Sequence, residues 1–226
     1  MVDVPETLRP WEEWRRQTLR ELLRGGRDPR VVEAIGRVRR ECFTPRGLQQ
    51  RAYEDVALPI AFGQSLSQIS VVAIMTEALG LKGRERVLEV GTGSGYQAAV
   101  LAEMGASVVT VERLPRLAAS AASRLFELGY SDIAVHTSPA DVLGFPEAAP
   151  YRAILVTAAA HSVPIPLLGQ LQPGGRMVLP VDDGTETRLI LVELDESGAV
   201  AERTIGCARF VPLVVANMRD EAPGAA

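Results

Sequence analysis

The stretch Val87-Leu88-Glu89-Val90-Gly91-Thr92-Gly93-Ser94-Gly95 constrains the fold of this chain more than any other. An apolar run closing on glycines reads as a buried strand entering a tight turn. Tyr96-Gln97-Ala98-Ala99-Val100-Leu101-Ala102 then reads as the start of a helix. Glycine takes positive φ at no steric cost and lets a ligand approach the main chain. The free N–H groups at the start of the following helix favour an anionic ligand group. Together these place a nucleotide-like cofactor at the carboxyl end of the first strand. The spacing is G-x-G-x-G, not the G-x-G-x-x-G of dinucleotide sites. S-adenosylmethionine (SAM) fits that difference, because it carries an adenosine but no pyrophosphate.

Strand and helix signals alternate downstream, which implies a mostly parallel sheet with helices on both faces. Strands are expected at 86–90, 107–111, 133–136, 153–157 and 176–180. Helices are expected at 115–128 and, shorter, near 166–171. Pro173-Gly174-Gly175 reads as a turn before the fifth strand. Arg188 to Leu194 and Val200 to Cys207 read as an antiparallel pair joined at Asp195-Glu196-Ser197-Gly198. Upstream, residues 11–23 carry helical periodicity, and Gly25-Gly26 stops that helix. Asp28-Pro29 starts a second helix, with Val31, Val32, Ile35 and Val38 as its buried stripe. After Thr44-Pro45 the chain reads as irregular until an apolar helix over 69–79. The expected organisation is one domain over residues 1–220. A helical extension, 1–80, packs on a SAM-binding core with C-terminal strands, 81–215, and residues 217–226 form a disordered tail.

The chain has 226 residues, 47% of them hydrophobic, enough for a sizeable core. No apolar run is long enough to span a membrane, and the polar start Met1-Val2-Asp3 does not resemble a signal peptide. Cys42 and Cys207 are too few for a disulfide framework and read as ordinary buried thiols. A cytoplasmic protein is expected, with a monomer as the simplest state. A net charge of −4 argues against general nucleic-acid binding. From Arg9 to Arg51 there are twelve arginines against six acids. This reads as a pair of solvated helices before it reads as a docking surface. No His, Cys or carboxylate spacing suggests a metal.

Glu112 ends the second strand about 20 residues beyond the glycine turn, where Rossmann-like folds place a ribose-binding carboxylate. A solvated strand end is the competing reading. Glu89, beside the turn, either supports the loop or attracts the ammonium of SAM.

With these residues assembled, the chain resembles the protein-L-isoaspartate O-methyltransferase family from roughly Val31 to Leu213. Glu89 to Gln97 is similar to the family's cofactor loop. Leu58-Pro59, with Gly63-Gln64-Ser65-Leu66-Ser67-Gln68, is similar to its L-P…G-Q-T-I-S-Q segment. Met75-Thr76-Glu77, Val111-Glu112-Arg113, Val156-Thr157-Ala158-Ala159, Leu171-Gln172-Pro173-Gly174-Gly175-Arg176 and Arg209-Phe210-Val211-Pro212-Leu213 match as well. The resemblance implies a Rossmann-like SAM-dependent methyltransferase fold. It also implies methyl transfer to the side-chain carboxylate of L-isoaspartyl residues in damaged proteins or peptides, from which succinimide closure begins repair. Ser67 would be the active-site hydroxyl, although it also suits the N-cap of the helix starting near Ile69. The cofactor set is Glu89, Gly91, Thr92, Gly93, Ser94, Gly95, Glu112, Arg113, Ala140, Asp141 and Thr157. The substrate set is Ser65, Gln68, Ala158, Ala159, His161, Val211, Pro212 and Leu213.

The chain departs from the family pattern at four places. Ile69-Ser70 replaces the proline, and the aromatic or histidine after it, that follow Ser-Gln. Ala140 stands where an acid usually faces the adenine amino group, and Asp141 is one residue late. Arg152 replaces an aspartate, and His161 replaces a proline. His161 sits where it can read a substrate carboxylate, although a solvent-facing turn is the commoner use. Two alternatives follow from the departures: a same-fold O-methyltransferase with one dedicated aspartate-containing peptide, or a SAM-binding module that has lost catalysis. A dehydrogenase would want G-x-G-x-x-G and is more distant.

Overall fold

A computed structural model of the protein describes residues 10–215. The expected disordered tail, 217–226, lies outside the described residues. Helix α1, Pro10–Arg24, leads into α2, Pro29–Arg37. Asp28 caps α2 by accepting the Arg30 N–H at 2.8 Å, and Val31, Val32, Ile35 and Val38 are buried as the periodicity requires. Between α2 and α3, Ile69–Ala78, the chain is not wholly irregular. Short 3-10 turns at Arg40–Cys42 and Arg46–Arg51 precede a miniature hairpin of β1, Leu58–Pro59, and β2, Ser65–Leu66. Two-residue strands carry too little alternation to be read from sequence.

Seven strands form the central sheet. They are β3 (Arg86–Val90), β4 (Ser107–Glu112), β5 (Ala134–Thr137), β6 (Tyr151–Val156), β7 (Leu171–Asp182), β8 (Thr187–Leu194) and β9 (Val200–Cys207). Their order is β5-β4-β3-β6-β7-β8-β9, parallel through β7 and antiparallel thereafter. Helices α4, Tyr96–Glu103, and α5, Pro115–Glu127, connect the first three parallel strands. The short α6, Ile165–Leu168, precedes β7.

Side chains alternate between two cores, as the period of a pleated strand demands. Val87, Ala153, Leu155, Val178 and Leu191 pack with α2, α3 and α4. Leu88, Ile154, Val156, Met177 and Val192 pack on the opposite face with Leu143 and Leu167.

Two expectations need correction. Pro173-Gly174-Gly175 does not precede the fifth strand but lies inside β7. There the register with β6 jumps from Tyr151↔Leu171 to Ala153↔Arg176. Gly174, at φ 73°, absorbs the resulting bulge. Turn residues within a strand look identical, in sequence, to turn residues between elements. Neither cysteine is fully buried. Cys207 is exposed on the edge strand β9, and Cys42 is half-buried, with Arg39 donating to its sulfur at 2.9 Å.

Candidate active site

Two neighbouring cavities open at the carboxyl ends of β3, β4 and β6. The larger, about 220 Å³, is walled by the glycine turn, Glu112, Arg113, Ala140, Leu143, Thr157, Ala158 and the Val211–Leu213 segment, among others. The smaller, about 30 Å³, is lined by Ser67, Glu89, Thr92, Ser94, Tyr96 and Gln97, among others. They share Ser65, Gly91, Gly93 and Thr157.

The turn between them is held from both sides. Gly91, Gly93 and Gly95 all take positive φ, at 99°, 54° and 90°. A Cβ at Gly91 would collide with the Thr157 hydroxyl. That hydroxyl instead donates to the carbonyls of Gly91, at 2.6 Å, and Val90, at 3.1 Å. Glu112 is buried and not a solvated strand end. One of its carboxylate oxygens accepts from the Gly93 N–H at 3.0 Å and the other from Leu114 N–H at 3.1 Å. Each oxygen keeps a lone pair, and the group lines the larger cavity.

Glu89 points to the face of the sheet that Val87 occupies, so a carboxyl stands where the strand pattern wants a hydrocarbon. It is 0% exposed. Its β4 neighbour Thr110 donates to Oε2 at 2.6 Å, and Thr92 Oγ lies 2.7 Å from the Thr110 hydroxyl. Oε1 has no partner. Burial pushes the Glu89 carboxyl up to about 8, against the Thr110 hydrogen bond, with the nearby Glu112 charge adding to the rise. An orphaned buried carboxyl oxygen facing a cavity suits a cationic ligand group.

Ser67 does not cap α3. Gln68 is the N-cap residue and makes no side-chain cap bond. Asp55 does that work from a distance, accepting the Ser70 N–H at 2.8 Å and the Gln68 amide at 3.1 Å. Ile69 is buried in place of the family's proline. The Ser67 hydroxyl makes no hydrogen bond among the described residues.

The remaining expected residues divide. Ser65, Ala158, Val211, Pro212 and Leu213 line the larger cavity. Ala159 holds that wall in place through its backbone, donating to Val211 O at 2.8 Å and accepting from Leu213 N–H at 2.7 Å. Ala140 lines the cavity, whereas Asp141 is exposed and outside its walls. Gln68 is engaged with Asp55 and Ser70. His161 is exposed and outside both cavities. Arg152 is the second residue of β6, at the opposite end of the strand from the cavities. Sequence reasoning missed Gln64, Ser138, Val142 and Val214 as cavity walls. It also counted Arg40 among solvated arginines, although Arg40 is fully buried.

A profile of the family described as protein-L-isoaspartate(D-aspartate) O-methyltransferase matches residues 14–218. A curated relative from Anaeromyxobacter dehalogenans (strain 2CP-C) is 53% identical over 84% of this chain and 91% of its own length. The chain belongs to the protein-L-isoaspartate O-methyltransferase family. Another member, from Rhodopseudomonas palustris, is 48% identical over 86% of this chain and 89% of its own length. A solved structure of a protein-L-isoaspartate O-methyltransferase superposes with a TM-score of 0.79 at 27% identity. It is matched over 88% of this chain and 65% of its own length. A Plasmodium falciparum structure holding S-adenosyl-L-homocysteine shares the fold, with a TM-score of 0.72 at 19% identity over 87% of this chain and 96% of its own length. Among the described residues, no helix is long and apolar enough to cross a membrane.

Proposed function

We propose that this chain is a SAM-dependent carboxyl O-methyltransferase that esterifies the side chain of L-isoaspartyl residues in damaged proteins and peptides. The observation that carries the reading is the junction of the two cavities at Ser65. On one side lie the glycine turn and Glu112, and on the other an uncommitted Ser67 hydroxyl. When bound, SAM supplies the methyl group on a sulfonium, which is a good leaving group.

The fixed Glu112 carboxylate is suited to accept from two vicinal ribose hydroxyls. The free Glu89 oxygen is suited to the ammonium of the methionine moiety. Ala140, Val142 and Leu143 offer an apolar wall for a base. Ala158 and the Val211–Leu213 segment give the peptide an extended surface.

The acceptor needs little activation. A carboxylate with a pKa of about 4 is already ionised at neutral pH. No general base is required. The chain's task is alignment and the exclusion of water. Ser67 donates one hydrogen bond to a carboxylate oxygen, orienting it without neutralising it. Such a bond is worth roughly 1 kcal/mol or somewhat more when one partner is charged.

The test is mass spectrometry of an isoaspartyl peptide after incubation with SAM. A methyl ester confined to the isoaspartyl carboxylate is expected. Tight SAM binding with no ester formed would overturn the reading.

A further inference from the structure

Arg40 is 0% exposed, yet no carboxylate among the described residues forms an ion pair with it. Its Nε donates to Ala52 O at 2.7 Å and its Nη2 to Ser67 O at 2.7 Å. Its guanidinium carbon lies 4.6 Å from the centre of the Tyr96 ring. Phe43 closes on the same ring edge-on at 5.6 Å. Tyr96 is the first residue of α4, directly after Gly95 of the cofactor turn. One buried cation therefore touches both the segment carrying Ser67 and the residue that opens the cofactor helix.

Burying an unpaired guanidinium is costly, and burial lowers its pKa. A hydrocarbon of similar length would fill the space more cheaply. Only a fork of planar donors, however, reaches two carbonyls while lying against an aromatic face. Ser67 has no other hydrogen bond among the described residues: its hydroxyl is uncommitted, and the cap of α3 comes from Asp55. We propose that Arg40 is a positioning residue for methyl transfer, fixing the Ser67 backbone against Tyr96 so that the hydroxyl meets the acceptor in register with the cofactor. This rests on the functional reading of Ser67 given above.

The test compares wild type, Arg40→Met, Arg40→Lys, Ser67→Ala and the double variant Arg40→Met/Ser67→Ala, each confirmed folded by circular dichroism. SAM binding is measured by calorimetry, and kcat and KM are measured with an isoaspartyl peptide. Arg40→Met should lower kcat several-fold and by no more than about tenfold, the loss expected from removing the Ser67 hydroxyl itself. SAM affinity should change less than threefold, and Arg40→Lys should recover part of the rate. The double variant should be no slower than the slower single variant, because both remove the same contact. Additive losses, or SAM affinity falling in step with kcat, would overturn the proposal. So would failure of Arg40→Lys to fold, which would make Arg40 a folding residue alone. Absence of turnover in wild type would instead refute the functional reading on which the proposal stands.

Discussion

SAM binding to this chain should release a proton, and the source should be Glu89. Its carboxyl is buried, bonded on one oxygen by Thr110, orphaned on the other, and pushed up to about 8. At pH 6 only about 1% of such a group is ionised, and at pH 7 about 9%. An ammonium placed against the free oxygen favours the carboxylate, so binding must first remove the proton. The α-amino group of SAM itself titrates near 8, which limits the gain on the alkaline side. The product of the two ionised fractions rises about eightfold from pH 6 to 7 and peaks near 8. Calorimetry in buffers of different ionisation enthalpy gives both the affinity and the proton count. About one proton released per SAM is expected at pH 6 to 7. Glu89→Gln should bind more weakly at pH 8, release no proton and lose the acid limb. The same carboxyl makes the ligand-free fold pH-dependent. Its folded-state pKa lies above the ordinary value of 4.5, so its stabilising contribution is full below about 4.5 and is lost as pH rises through about 8. Glu89→Gln should therefore be at least as stable as wild type at pH 8 without ligand. An affinity flat from pH 6 to 7, with no proton released, would refute the assignment of the ammonium to Glu89.

Further outcomes follow from the same geometry. Ser67→Ala should lower kcat about tenfold while leaving SAM affinity, read by calorimetry, nearly unchanged; equal loss of binding would place Ser67 in the cofactor pocket. Ala140→Asp restores an acid on the cavity wall and should tighten SAM binding several-fold, the worth of one added hydrogen bond; a weaker or unchanged affinity would remove the adenine from that wall. Gly91→Ala puts a methyl against Thr157 at φ 99° and should cost about 1–3 kcal/mol or more in thermal unfolding; a melting temperature equal to wild type would show that the turn relaxes.

Much of the fold was legible because its signals are local. The runs at Arg86–Val90, Ser107–Glu112 and Tyr151–Val156 are apolar on both faces, as parallel strands with two covered faces must be. Asp28-Pro29 announced its own helix. The glycine turn, Glu112 and Ser67 could be placed together because the fold order and the family segments fix them relative to one another. What stayed hidden depends on tertiary partners. The bulge in β7 exists only because β6 runs beside it. Asp55 caps α3 from 15 residues away, so no residue adjoining α3 signals it. Arg40 sits in an arginine-rich stretch whose other described members are all at least partly exposed, and nothing in its neighbours marks it as the buried one. Glu89 was readable as a residue beside the turn, but its complete burial, which raises its pKa against the Thr110 hydrogen bond, comes from tertiary packing. Asp141 was counted in the cofactor set, yet it is exposed and outside the cavity walls that Ala140, one residue earlier, lines.

The central claim is that the chain recognises an isoaspartyl carboxylate and esterifies it from SAM. The most direct measurement is kcat/KM for two peptides of identical composition, one with L-isoaspartate and one with L-aspartate at the same position, under saturating SAM. The account predicts ready methylation of the isoaspartyl peptide and turnover of the aspartyl peptide lower by at least two orders of magnitude, since the extra backbone methylene moves the carboxylate relative to Ser67. Equal turnover of both peptides, or of neither while SAM binds, would contradict it.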